Sequence, residues 1–341
     1  MVSKTDMDEK NKAPLRLWFT DFWHPATVEK IQTENPIYRL LAKRWQIALD
    51  PKQPDFIICS AYGCEYLKWQ VPRIYYTPEN FRPLLRENDY SFSFDWPITE
   101  RNYRLPYYRL NDLYEEVKLP RRNTPDFERR KFCCFLVSNP RAKERLHMFE
   151  LLSAYKRVDS GGKVLNNIGY QLGPTQAEKM AWMQGYKFAL VFENSSYQGY
   201  TTEKLIEALL CNTIPIYWGN PRVSEDFNPQ AFINAHDYPD FETVAQRVIE
   251  VDQNPDLASR YLSATFLPDD KEADYLKEDA ILQRFEQIFS SGKIFVPVWK
   301  KRLQVVNYPI KMGKRHAHAL LKWLVNFPGR VWRKVKRLIV K

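Results

Sequence analysis

The most constraining feature of this chain is the run from Tyr186 to Gly219. YKFALVFEN (Tyr186 to Asn194) is almost wholly apolar, the loop SSYQGY follows, TTEKLIEALLC (Thr201 to Cys211) has a helical period, and TIPIYWG (Thr213 to Gly219) is apolar again. Strand, loop, helix and strand in that order favour a parallel sheet, whose inner strands read as unbroken apolar runs. Earlier segments repeat the theme. LRLWFTDFW (Leu15 to Trp23), PDFIICS (Pro54 to Ser60), VPRIYYTPEN (Val71 to Asn80) and KFCCFLVSN (Lys131 to Asn139) read as strands, and RAKERLHMFELLSAY (Arg141 to Tyr155) as a helix. With 341 residues the chain has room for two domains. The charged, proline-bearing stretch from Asn111 to Lys131 reads as the linker between them.

Charge separates a body from an end. The formal charge is +10, yet residues 297–341 hold 13 Lys and Arg and no acid, which leaves the preceding 296 residues slightly acidic. A nucleic-acid enzyme carries its basic charge around its cleft more often than on an appendage. GRVWRKVKRLIVK, from Gly329, sets Val331, Trp332, Val335, Leu338 and Ile339 at helical spacing among basic residues, a pattern suited to the surface of an anionic bilayer. No run approaches the ~18 apolar residues of a membrane span, and the polar leader 1–13 lacks the shape of an export signal, so the expected location is the cytosol. Five cysteines without a CxxC pair read as reduced, mostly buried thiols. The one D-x-D, Asp6-Met7-Asp8, lies in the leader, and the five histidines show no ligand spacing outside the HAH of His316 and His318, so no required metal or other cofactor is expected. No G-x-G-x-x-G or G-K-[ST] loop points to NAD(P) or ATP.

Residues at the strand–helix junction are those an anionic ligand needs. Thr201 or Thr202 suits an N-cap, backbone N–H groups at a helix start attract an anion, and Lys204 adds a full charge one turn in. Glu203 suits neutral hydroxyls, such as those of a ribose. Asn194 reads either as a turn former or as an amide partner for a nucleotide, and Tyr200 either packs on that nucleotide or anchors the loop.

FENSSYQGYTTEKLIEALLCNTIPIYWG resembles the donor-binding motif of the α-1,3/4-fucosyltransferases, glycosyltransferase family ten, and most closely that of bacterial members. Similarity extends to KFCCFLVSNPRAKERLHMFELL, RVDSGGKVLNNIGY and DFNPQAFINAHDY, and more weakly to YYTPENFRP. The resemblance implies an α/β, GT-B-like pair of Rossmann-type domains facing a cleft, plus the basic amphipathic tail. Expected boundaries are a leader 1–13, an acceptor domain 14–125, a GDP-fucose domain 126–296 and a membrane-associating tail 297–341, its contact to an anionic membrane running through residues 312–341.

By the same resemblance, the expected reaction is inverting transfer of L-fucose from GDP-β-L-fucose to the N-acetylglucosamine of a β-galactosyl-N-acetylglucosamine acceptor. It would build Lewis-type glycans on lipopolysaccharide at the inner face of the cytoplasmic membrane. Glu79 is the expected base, with Glu87 its rival. Arg145, Asn194, Tyr200, Glu203 and Lys204 are the expected donor residues, with Arg141 an alternative to Arg145. Glu193 is left between stabilising fucose charge and orienting Lys204. The alternatives are the same fold acting on another acceptor and a basic-tailed nucleic-acid-binding protein.

Overall fold

The computed structural model describes residues 13–121, 127–140, 142–173 and 175–305. Two compact units divide the described residues: those within 13–76, 84–91 and 291–305 form one, and those within 77–83 and 92–290 the other. The division therefore passes through the strand Tyr90–Ser93 rather than near residue 125, and residues 92–121 fold with the second unit. The stretch read as a linker carries Tyr114 and Val117, both buried, and their side chains pack in that unit's core with Tyr108 and Phe227. Apolar burial outweighs the charged composition that suggested a linker.

The first sheet has the order β2-β1-β3-β4-β5-β6, from β1 (Leu15–Thr20), β2 (Ile47–Leu49), β3 (Phe56–Cys59), β4 (Arg73–Tyr76), β5 (Tyr90–Ser93) and β6 (Asn102–Arg104). β1 lies parallel to both β2 and β3, with Leu17 opposite Leu49 on one side and Phe56 on the other, and β3 is parallel to β4. All residues of β3 and β4 are buried, which fits their apolar sequence apart from Arg73 at the start of β4. Between β1 and β2, Asn35 ends the helix Val28–Glu34 and starts the helix Pro36–Leu41. Its side-chain oxygen accepts from the N–H groups of Ile37 and Tyr38, both at 3.1 Å, with Pro36 at the first helical position.

The second sheet has the order β11-β10-β9-β7-β8, from β7 (Lys131–Phe135), β8 (Val158–Ser160), β9 (Tyr186–Phe192), β10 (Ile214–Trp218) and β11 (Ile233–Asn234), with every pair parallel. Successive residues of β9 serve opposite faces. Phe188, Leu190 and Phe192 pack with Met148 and Leu152 of the helix Lys143–Tyr155 and with Val244 and Val248 of the helix Phe241–Gln253. Ala189 and Val191 join Leu205, Ile206 and Leu209 of the helix Glu203–Leu210. Helices on both faces of a parallel sheet make this a doubly wound layer, so the α/β, Rossmann-type architecture expected from the sequence is the one observed. The adjacent Cys133 and Cys134 fall on opposite faces, and all five cysteines are free and buried.

After the helix Glu278–Ser291 the chain rejoins the first unit. Residues 298–305 are helical, and Lys301 is fully buried there, its Nζ donating to Asp89 Oδ2 at 2.5 Å and to the Val71 carbonyl at 2.8 Å. The segment read as an appendage from residue 297 thus begins as part of the folded body. Residues 312–341, to which the membrane contact was assigned, lie outside the described residues, as do Arg141, the D-x-D and the HAH. No described helix is long and apolar enough to cross a membrane.

Candidate active site

In the second sheet the chain steps from β7 outward to β8 and then returns to the far side of β7 to lay down β9. Open parallel sheets bind ligands at the carboxyl ends of strands that part in this way. Two helices begin at this point, Lys143–Tyr155 after β7 and Glu203–Leu210 after β9; Arg145, Glu203 and Lys204 lie in their first turns, and Asn194 and Tyr200 in the loop between β9 and the second helix.

Arg145 lies in the first turn of its helix and is only 2% exposed. Its Nε donates to the Phe192 carbonyl at 2.7 Å, and its Nη2 finds no partner among the described residues. Burial lowers its pKa, and the charges of Glu193 and Glu203 offset this only in part. A buried guanidinium with an unanswered donor is costly unless an anion meets it.

Glu193 follows β9 and is fully buried. It accepts from the Thr202 N–H at 2.7 Å, from the Thr202 hydroxyl at 2.8 Å and from Lys204 Nζ at 3.0 Å. Thr202 occupies the N-cap position without capping the helix with its side chain, because its hydroxyl is engaged by Glu193 and accepts from Lys204 Nζ at 2.7 Å. The expectation of outward-facing N–H groups is corrected to this extent: the Thr202 N–H is held by a carboxylate of the chain itself. Glu193 thus holds both Thr202 and the Lys204 ammonium by hydrogen bonds. Gly219 makes room for it, since a Cβ there would lie 2.5 Å from Glu193 Cγ.

Lys204 is 23% exposed, and its Nζ also lies 3.6 Å from Glu203 Oε1. Burial alone would lower its pKa, but Glu193 and Glu203 more than reverse this and hold the ammonium charged. Burial likewise pushes Glu203 up, and Lys204 with nearby hydrogen bonds brings it below the usual carboxylate range. Tyr200 is buried with its ring 5.2 Å from that of Phe94, as a loop anchor would be, and Asn194 is exposed just past β9.

Glu79 sits in the loop after β4, partly exposed, its N–H donating to Thr77 Oγ1 at 3.1 Å. The structure places it within electrostatic reach of Tyr200, whose pKa is raised first by burial, then by Glu193, and also by Glu79. Next to it, Asn80 Nδ2 donates to Ser195 Oγ at 2.7 Å, and the Arg82 guanidinium lies 3.6 Å from the Tyr197 ring centroid. Glu87, the rival, belongs to the first unit and accepts from the Tyr66 hydroxyl.

Sequence reasoning missed the residues that brace this loop. Asn220 Oδ1 accepts from the Gly199 N–H at 2.6 Å, its Nδ2 donates to Thr201 Oγ1 at 3.2 Å, and its own N–H donates to the Tyr217 hydroxyl at 3.0 Å. An asparagine directly after the glycine that ends a strand was the available signal. Gly199 has φ +82°, and a Cβ on it would meet the Phe94 carbonyl at 2.4 Å, so the loop passes where no side chain fits. His236 was also passed over. Its Nε2 accepts from the Gly219 N–H at 3.2 Å, and burial lowers its pKa, keeping the ring neutral as an acceptor. Among the described residues no group of three or more His, Cys, Asp or Glu is placed to hold a metal ion.

Comparison with known proteins decides the family. The model described as glycosyltransferase family 10 (fucosyltransferase) C-term matches residues 127–266, spanning the switch point and both helices, and the alpha-(1,3)-fucosyltransferase FucT N-terminal domain matches residues 17–111. The chain belongs to glycosyltransferase family 10. Alpha-(1,3)-fucosyltransferase FucT of Helicobacter pylori is 30% identical over 276 residues, covering 69% of this chain and 57% of that protein. Alpha-(1,3)-fucosyltransferase 4 of Bos taurus is 31% identical over 180 residues, 49% of this chain and 43% of that protein. The chain thus spans about half the length of these relatives. A crystal structure of an alpha1,3-fucosyltransferase with GDP-fucose superposes with a TM-score of 0.70 at 27% identity, covering 84% of this chain and 94% of the other. An alpha1,3-fucosyltransferase structure with GDP gives 0.71, covering 86% and 94%. The family-10 identity places Arg145, Glu193 and Lys204 in the C-terminal domain of a fucosyltransferase family.

Proposed function

We propose that this family-10 chain is an inverting fucosyltransferase, moving L-fucose from GDP-β-L-fucose to the N-acetylglucosamine of a β-galactosyl-N-acetylglucosamine acceptor and forming Lewis-type glycans on lipopolysaccharide or its lipid-linked precursor. The observation that carries this reading is the buried Arg145, with Nη2 unanswered among the described residues, and the charged Lys204, each in the first turn of a helix that begins at the switch point. Two cations so placed suit a diphosphate, arginine as a planar fork and lysine as a point charge.

In the proposed reaction Glu79 takes the proton of the acceptor hydroxyl as its oxygen attacks the anomeric carbon from the side opposite GDP. The bond from that carbon to the β-phosphate oxygen breaks, and the charge left on the diphosphate is stabilised by Arg145 and Lys204. Asn194 and Glu203 contact the nucleotide-sugar, and Tyr200 holds the loop around it. This scheme requires no metal or other cofactor. The basic residues 312–341 hold the enzyme on an anionic membrane at the cytoplasmic side.

Full-length chain incubated with GDP-fucose and N-acetyllactosamine in EDTA tests the reading. The expected products are GDP and a fucosylated trisaccharide, with Glu79→Gln slower by about 10²–10⁴. No turnover with any acceptor, or a Glu79→Gln variant as fast as wild type, overturns the reaction or the base respectively. Flotation with anionic but not zwitterionic vesicles is expected, and equal recovery on both contradicts the membrane role.

A further inference from the structure

We infer that the first unit carries a stacking platform for a neutral sugar ring, formed by Trp23 and Tyr62; the inference rests on the fucosyl-transfer reading and concerns the acceptor side of it. The first sheet has its own switch point. From β1 the chain goes outward to β2 and then returns to the other side of β1 for β3. The ligand position that this topology creates is at the carboxyl ends of β1 and β3, as it is between β7 and β9 in the second unit. Trp23 lies just past β1 and Tyr62 just past β3.

The two loops are locked together before any ligand arrives. The Tyr62 N–H donates to the Asp21 carbonyl at 3.0 Å, and the Asp21 carboxylate accepts from the N–H groups of Glu65 and Tyr66, both at 2.9 Å. Asp21 itself takes a left-handed backbone, φ 62°, and presses so close to Gly63 that a Cβ there would lie 1.6 Å from its Oδ1. Strain of this kind persists only where surrounding structure fixes it, and it collects at functional sites. Behind the platform His24 is buried, its ring stacked on Phe22 at 5.6 Å and edge-on to Trp23 at 5.9 Å.

On this braced base Trp23 and Tyr62 are each 39% exposed, with ring centroids 6.2 Å apart and planes at 78°. Large aromatic surfaces left in water at a switch point match the C–H faces of a pyranose through dispersion and apolar burial, while ring hydroxyls remain hydrated. Charge narrows the ligand further. Residues 20–25 and 60–64 include no lysine or arginine, in contrast to the Arg145 and Lys204 pair, which suits an uncharged glycan better than a polyphosphate.

The test uses full-length protein. Trp23→Ala and Tyr62→Ala are each expected to raise the acceptor KM by about tenfold, with Trp23→Phe close to wild type. Donor KM and the slow release of GDP in the absence of acceptor should stay within about twofold of wild type by the same reckoning. Titration with N-acetyllactosamine, without donor, should change tryptophan fluorescence in wild type and Tyr62→Ala should weaken that response. Unchanged acceptor KM and fluorescence response in both alanine variants overturn the platform. So do parallel losses in donor and acceptor parameters, which would mark a structural role. Saccharide binding that depends on Trp23 and Tyr62 in a protein that transfers no fucose supports the platform and refutes the transferase reading.

Discussion

The side-chain amide of Asn80 donates to Ser195 Oγ at 2.7 Å, tying the segment that carries Glu79 to the loop that carries Asn194 and Tyr200. Arg82 strengthens the tie, its guanidinium lying over Tyr197 at 3.6 Å and over Phe94 at 4.5 Å while it pairs with Asp95. The proposed base and the proposed donor loop share these contacts and are positioned as one body. Asn80→Ala and Ser195→Ala are each expected to lower kcat by about tenfold through misplacement of the reacting groups, with little change in donor KM. The double variant should be no slower than either single one, giving a coupling of about 1.4 kcal/mol. Additive losses in steady-state kinetics would show that the two residues act separately.

Glu193 is expected to act through Lys204. With its carboxylate fully buried and bonded to the ammonium at 3.0 Å, Glu193→Gln keeps the contacts to Thr202 but releases the lysine. Donor kcat/KM is expected to fall by about tenfold, against about 10² for Lys204→Ala. Lys204→Ala made in the Glu193→Gln background should add to the loss far less than it does alone. If the two effects multiply in full, Glu193 has a direct role toward the sugar that its hydrogen bonds do not display.

Local pattern revealed the sheets. β9 reads as a strand because all seven residues are buried and apolar enough to say so, and the helix after it because its apolar positions recur at 3.6. The helix starts at Glu203 with Thr202 as its N-cap, one of the two threonines expected there, and Glu193, nine residues earlier, captures the Thr202 N–H. No local signal announces such a capture. The burial of Arg145 is equally silent, since nothing in a charged first turn tells which cation turns inward toward the end of β9. Trp23 and Tyr62 become neighbours only once β1 and β3 are paired, and pairing is a property of topology rather than of either segment.

One long-range ion pair in the first unit is fully buried. Lys301 and Asp89 are 212 residues apart and both fully buried, and Asp89 further accepts from the N–H groups of Arg73, Phe295 and Val296 at 2.8–2.9 Å. Removing one partner of such a pair leaves a buried charge and costs about 3–5 kcal/mol. A chain ending at residue 296 should therefore lose that much stability in urea denaturation, as should Lys301→Met, whereas one ending at 305 should retain Lys301 and its contacts. Equal stability of the chains ending at 296 and 305 would remove residues 297–305 from the fold.

A pH signature follows from the helix that carries Lys204. Glu207 lies one turn after Glu203; burial, followed by the repulsion of that like charge, pushes its carboxyl up to about 6 from 4.5, although Gln176 Nε2 donates to it at 2.7 Å. The folded state thus holds a proton more tightly than the unfolded chain between pH 4.5 and 6, so folding takes up a proton in that window. Stability contributed by this group falls as pH rises through the window and the penalty, at most about 2 kcal/mol, is complete above it. Glu207→Gln preserves the hydrogen bond from Gln176 and removes the charge. Thermal unfolding without nucleotide should show the variant more stable than wild type at pH 7.5, by about 2–4 °C per kcal/mol for a domain of this size, and equal to it near pH 4. A constant offset across the whole range would assign the effect to packing rather than to the buried carboxylate.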